Sequence, residues 1–306
     1  MKRAPHFHWS LVLWLLITTT GCSITRFAVD SAADAVVPEA VTAIMQENDL
    51  EFIKDAIPGN VKLLEGILKL SPDNKQLNEA LSQSFLFYAL AFVEEDFQQL
   101  KDVDPVHASI LSERAKKFYL RGRKHGLQTL VHHKAYMANV FGDFNAFEQA
   151  LVEMEPEDVP GLVYSGMNWL LAITHSMDSP RETIHIGRIK MMIEKAVELD
   201  RKFFFGLPLI AMGAFESSIP PALGGRPDEG KKFFEEALVL SERKFLLAQV
   251  MYAERYAVQM LDEELFVSLL NEVLQTPDDV LPNYVLPNVI AKTQAKRLIS
   301  QKDNLF

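Results

Sequence analysis

Pro227-Asp228-Glu229-Gly230-Lys231-Lys232-Phe233-Phe234-Glu235-Glu236-Ala237-Leu238-Val239-Leu240 is the stretch that decides the fold class. Phe233, Phe234, Ala237 and Leu238 recur at the spacing of one helix face, while Lys231, Lys232, Glu235 and Glu236 take the opposite side. Pro227 supplies the fixed φ of a first helical turn, and Asp228 and Glu229 place negative charge where the helix dipole favours it. The preceding run, Ser217 to Arg226, holds Pro220, Pro221, Gly224 and Gly225, a density of breakers that ends any regular element. A broken loop thus opens an amphipathic helix.

The same period extends in both directions. Upstream, Phe52 to Ile57 predicts a short helix closed by Pro58-Gly59, followed by a second carrying Val61, Leu64, Ile67 and Leu68. Ser71 is the expected cap and Pro72 the first turn of a helix whose stripe is Leu77, Leu81, Phe85, Tyr88, Ala89 and Phe92. A helix pair is expected over Ala108 to Tyr119 and on to Val131, then helices at Phe144–Val152 and Gly161–His175. Ser179-Pro180-Arg181-Glu182 has the form of a capping box before a helix ending at Leu199-Asp200. Downstream, Phe245–Tyr256, Leu265–Leu274 and Val289–Ile299 complete the set, with no strand alternation or hairpin dipeptide. The chain reads as all-α. Ile193 to Asp200 also aligns by inspection with Phe234 to Ser241, which places Ala196 against Ala237, and Ala150 holds a similar place upstream. These segments resemble the second helix of a tetratricopeptide unit at a spacing longer than the regular ~34 residues. Tetratricopeptide-like helical hairpins, stacked into one compact domain over 49–306, are the expected architecture.

The N-terminus has a different composition. Lys2 and Arg3 precede an apolar run from Trp9 to Ile17 and a small-residue exit from Thr18 to Gly21, the layout of a secretory signal over 1–21. Cys22, the sole cysteine, follows Thr19-Thr20-Gly21 where lipoproteins carry their acylated residue. An oxidising compartment offers it no partner within the chain, so lipid attachment accounts for both its position and its solitude. Residues 22–48 are then tether or first helix, with Pro38 as the break, and Ser23 in place of an aspartate points to the outer membrane. The formal charge of −10 becomes two units more negative when Lys2 and Arg3 are removed, which disfavours nucleic acid as a partner.

Catalytic motifs for nucleotide, zinc-protease or hydrolase chemistry are missing. Ser241-Glu242-Arg243-Lys244 has S-x-x-K spacing without companion motifs, and Glu182-Thr183-Ile184-His185 is one Glu-x-x-His where a di-iron bundle needs two. His125, His132 and His133 could bind a metal, with His125 and His132 expected on one helix face, but lacking acidic ligands at metal-site spacing they read as exposed polar residues, and no metal is expected. Arg114, Lys116, Lys117, Arg121, Arg123 and Lys124 form either a solvated face or a docking patch. Phe85, Phe87, Tyr88 and Phe92, then Tyr164 and Trp169, then Phe203-Phe204-Phe205 are core, with part of the set available to line an apolar cavity between hairpins. No cofactor is expected.

Several segments, in order, carry a wider resemblance. They are Asp55-Ala56-Ile57-Pro58, Lys62 to Glu65, Ser71-Pro72-Asp73-Asn74, Phe85 to Val93, Arg114 to Arg121, Tyr164 to Trp169, and Pro220 to Gly225 with Phe234 to Leu238. In them the chain resembles the T component of tripartite ATP-independent periplasmic (TRAP) transporters, the TatT lipoproteins. The resemblance implies a non-enzymatic homotrimer of helical hairpins, with a pore or cavity in each protomer. Its implied partner is the periplasmic solute-binding protein, and its implied ligand a hydrophobic small molecule. Phe85, Tyr88, Tyr164, Trp169, Pro220, Pro221, Gly224 and Gly225 are the candidate ligand or partner surface, and Cys22 the lipidation site. The competing readings are an envelope scaffold lipoprotein without a ligand, and an enzyme built on His132, His133 or the Glu182/His185 pair.

Overall fold

A computed structural model describes the backbone of residues 7–218 and 225–306, with side chains from residue 24 onward. Helix α1 (Phe7–Met45) is followed by α2 (Leu50–Leu68), α3 (Lys75–Tyr88), α4 (Glu94–Leu100), α5 (Pro105–Gln128), α6 (Lys134–Asn139), α7 (Phe144–Leu151) and α8 (Val159–Thr174). Next come α9 (Pro180–Thr183), α10 (Ile186–Asp200), α11 (Phe203–Ser218), α12 (Pro227–Leu240), α13 (Leu247–Tyr252), α14 (Glu263–Gln275), α15 (Val285–Ser300) and α16 (Lys302–Leu305). No strand occurs among the described residues, and the fold is all-α. Also among them, no helix is long and apolar enough to cross a membrane.

One core runs from Ile53 in α2 to Leu298 in α15. It forms because consecutive helices bury matching stripes: α3 lies on α5, α5 along α8, α8 against α10, and α11 along α12. Ala150, Ala196 and Ala237 are all buried, in α7, α10 and α12. The contact between α5 and α8 is close because glycine lines it. A Cβ on Gly126 would sit 2.8 Å from the backbone nitrogen of Ser165, and one on Gly122 2.2 Å from the Asn168 side chain.

Three local expectations are corrected. α2 does not stop at Pro58-Gly59 but runs through both, because Ile53, Ile57 and Val61 form one continuous buried stripe whose packing outweighs the hydrogen bond that Pro58 lacks. Asn74, not Ser71, caps α3 by accepting from the Leu77 N–H (2.8 Å). Ser71 Oγ instead donates to Asp30 of α1 (2.6 Å), and Asn74 donates to the same carboxylate oxygen (2.7 Å). The Ser179 side chain forms no cap; the segment makes a single short turn, α9, before α10 begins at Ile186.

Candidate functional site

The helix that begins as α3 departs from α-geometry at Ala89–Val93, which forms a π turn leading directly into α4. A second π turn, Ala253–Ala257, extends α13. Such turns are rare and gather at functional sites. Leu90 of the first and Arg255 of the second line one cleft of about 390 Å³, together with Glu94, Phe97, Ser112, Leu171 and His175.

His175 is the centre of that cleft, its side chain 4% exposed. One ring nitrogen, Nε2, lies 2.8 Å from Glu94 Oε2, and the other, Nδ1, lies 2.9 Å from Ser112 Oγ. Phe97 packs edge-on to the ring and Tyr119 stacks against it. Burial pushes the Glu94 carboxyl up, but the hydrogen bond and charge of His175, helped by Gln98 and Arg255, outweigh this and hold it below the ordinary glutamate value. The Tyr119 phenol is driven well above its ordinary value by burial and then by the Glu94 charge, and its hydroxyl has no hydrogen-bond partner among the described residues. Ser112, His175 and Glu94 have the connectivity of an acyl-transfer triad. Ser112, however, lies within α5, where backbone N–H groups are committed to the helix ladder and offer no oxyanion donor. The cluster is equipped to hold a proton or a polar group.

From this cleft a half-buried stripe runs along α3 and α4. Gln83 Nε2 donates to the Tyr164 hydroxyl (3.0 Å), and Glu94 meets His175. Both pairs are 81 residues apart, as are Leu90 and Leu171 in the cleft lining. A constant offset means that the two helices run in the same direction, in register, side by side. Gln83, Phe87, Leu90 and Glu94 recur at four- and three-residue steps on that shared face, and Phe87 and Leu90 remain half-buried.

Aromatic rings close the far end of the stripe. Phe203 meets Tyr164 edge-on, 5.7 Å between centroids, and Phe204 reaches Phe87 (5.9 Å). Phe204 and Phe205 both pack on Phe245 and Tyr284. Phe204 (φ 42°), Phe205 (φ 58°) and Gly206 (φ 83°) are successive left-handed residues. Glycine adopts this freely; each phenylalanine costs about 1–2 kcal/mol. Packing of the rings offsets that cost, and backbone strain held by its surroundings is characteristic of ligand sites. Glu79, near Tyr164, has its carboxyl raised by burial, partly countered by Lys75.

Of the candidate surface aromatics Phe85, Tyr88, Tyr164 and Trp169, Tyr164 is at this site, beside Phe87 and Phe203-Phe204-Phe205 from the wider aromatic set. Phe85 and Tyr88 turn the other way, toward α5: Phe85 stacks on His125 beneath the Arg121 guanidinium, and Tyr88 packs on Phe118. Trp169 is fully buried against Phe141 and His185, with its indole N–H unpartnered among the described residues. Pro220, Pro221 and Gly224 lie outside the described residues, as does the Cys22 side chain. Gly225 is half-buried, and the adjacent Arg226 forks onto Glu216 of α11, which Lys190 also holds (2.8 Å). Phe87 was visible in the aromatic run, but choosing it over Phe85 needed the direction of α8. Leu90, Glu94 and His175 carried no motif.

The other candidates divide. Ser241 Oγ donates to the Ala237 carbonyl (2.9 Å) and Lys244 pairs with Glu242, so the two do not act on each other. His185 lies against Trp169, its imidazole pKa lowered by burial and then by Arg188. His125 and His132 do not share a helix face, because α5 ends at Gln128 and His125 is held by Asn78 (3.0 Å) and Phe85. His132 and His133 instead meet Asp158. Within the basic segment, Arg121 pairs with Glu65 and Arg123 covers Phe141 and Trp169, while Arg114, Lys117 and Lys124 are exposed.

A protein of Treponema pallidum (strain Nichols), described as an uncharacterized protein, is 22% identical over 303 residues, covering 94% of this chain and 93% of its own. The family model described as TRAP transporter T-component matches residues 46–306. Over that span lie the aligned α3–α4 and α8 helices and both π turns, and the chain belongs to the TRAP transporter T-component family.

Proposed function

We propose that this T component is a lipid-anchored periplasmic accessory protein, held at the outer membrane through Cys22 with Ser23 behind it, that binds the solute-binding protein of its transporter. In this reading it acts as a homotrimer and without enzymatic chemistry. A hydrophobic or amphipathic small molecule occupies the face between α3–α4 and α8, its apolar body against Phe87, Leu90 and Leu171 and its polar end toward Glu94 and His175. The observation that supports this most is the stripe itself: apolar side chains left half-buried between two polar clusters, along a helix that a π turn distorts at Ala89–Val93. A scaffold would gain more stability by packing those side chains completely.

The partner assignment is tested by affinity purification of the full chain from solubilised membranes. Recovery of a periplasmic solute-binding protein at a fixed ratio is expected. Its consistent absence, with the chain itself intact, overturns the assignment.

A further inference from the structure

The turn after α5 carries His132 and His133, and the short 3-10 turn Pro156–Asp158 that leads into α8 carries Asp158. Because α5 packs along α8, the turn and the helix start meet. His133 Nε2 lies 2.7 Å from Asp158 Oδ2, and His132 Nε2 lies 3.3 Å from Asp158 Oδ1. The three donor atoms all fall within 4.8 Å of one another. Asp158 is 2% exposed and fixed in place, its Oδ2 also accepting from the Glu155 N–H (3.0 Å).

We propose that His132, His133 and Asp158 form a binding site for a divalent transition-metal ion, with zinc as the ion that suits it. Two ligands each about 2.0 Å from a tetrahedral zinc stand about 3.3 Å apart, which is the spacing of His132 and Asp158. His133 faces the other carboxylate oxygen, Oδ2, at 2.7 Å, so a small shift of its ring or a turn of the carboxylate brings both imidazoles to that separation from one ligand oxygen. Two imidazole nitrogens with one carboxylate suit zinc, copper or nickel, whereas calcium and magnesium take oxygen ligands. The His132 side chain is 56% exposed, so one side of the site is open to water as a fourth ligand. Three protein ligands with an open position describe an exchangeable site, not a closed structural one.

The position gives such an ion a mechanical role. It would tie the turn after α5 to the start of α8, the helix that presents Tyr164, Leu171 and His175 to the stripe. Lys75, at the start of α3, donates to the Glu157 carbonyl in the same turn (2.7 Å). Metal at this point would brace the end of the helix pair opposite the His175 cleft. This inference does not depend on the ligand or partner proposed above.

The test is equilibrium dialysis of the chelator-stripped full chain in detergent against zinc, with bound metal measured directly. One zinc per chain is expected, unaffected by excess magnesium or calcium, together with a rise in melting temperature. His132→Ala, at an exposed position, should fold and bind more weakly by at least the roughly 10–100-fold that loss of an outer-sphere partner costs. His132→Ala with His133→Ala should abolish both the stoichiometric uptake and the thermal shift. His107→Ala is the control, since His107 pairs with Asp104 on the surface without a third donor, and it should bind as the wild type does. Absence of stoichiometric zinc in the wild type, or uptake unchanged in the double variant, overturns the site. Loss of uptake in His107→Ala alone does so as well.

Discussion

The groove beneath α1 and the cleft between the two π turns are both open enough to admit a small molecule, and they are chemically opposite. The groove, about 560 Å³, is lined by Ala32, Ala33, Val36, Val37 and Ala40 of α1 against Leu63, Leu64 and Ile67 of α2. It exists because α1 presents small side chains there; α1 docks by burying Ala33 and Val37 against Leu77 and Ala80 and by Asp30, which accepts from Ser71 and Asn74. The cleft, about 390 Å³, keeps Glu94 and His175 largely buried, where charge is costly, with Ser112 and the partly exposed Arg255 in its wall. Empty apolar space follows from residue size alone. Buried, mutually paired ionisable groups on distorted helices persist against their own cost, and this difference directs attention to the smaller site.

Substitutions separate the two regions by size of effect. His175→Ala leaves Glu94 buried without its partner and should cost about 3 kcal/mol of unfolding free energy in urea titration. Gly126→Val drives a side chain into Ser165 where α5 meets α8, at an expected cost of about 2 kcal/mol by the same measurement. Asp30→Ala, which removes two hydrogen bonds to a carboxylate, should weaken the docking of α1 by about 1.5 kcal/mol. Its readout is faster proteolysis within α1 while the melting of the remaining domain is unchanged. Gly66→Ala, in α2 with open space around it, should stabilise by about 0.5 kcal/mol.

Acid distinguishes the cleft in another way. Glu94 is held below its ordinary value in the folded chain, so its pairing contributes fully above the ordinary value of 4.5 and is lost as the pH falls through the folded pKa. Wild type should therefore lose more stability than Glu94→Gln across that interval, as measured by urea titration at successive pH values. Equal acid sensitivity in the two proteins would remove the Glu94–His175 pair from the account.

Much of the fold was legible because its helices obey local rules. Pro227 begins α12 and Phe144 begins α7 as expected, while α14 begins at Glu263, two residues before the expected Leu265, behind the capping residue Asp262. The site was less legible, for physical reasons. Ala89-Leu90-Ala91-Phe92-Val93 reads as ordinary helix, and nothing in those residue types announces a π turn. Phe204 and Phe205 adopt a backbone that their own preference opposes, and Phe245 and Tyr284 hold them there from far along the chain. The 81-residue register between α3–α4 and α8 is set through α5, which packs on both. Asp158 reaches His132 and His133 by the same route.

The central claim, that the stripe and not the groove receives an apolar ligand, is tested most directly by titrating the full chain in detergent with the fluorescent probe phenylnaphthylamine. Leu90→Trp fills the stripe and should weaken binding by about tenfold, or about 1.4 kcal/mol, whereas Ala40→Phe fills the groove beneath α1 and should leave binding unchanged. Wild-type binding in Leu90→Trp with loss in Ala40→Phe would contradict the claim.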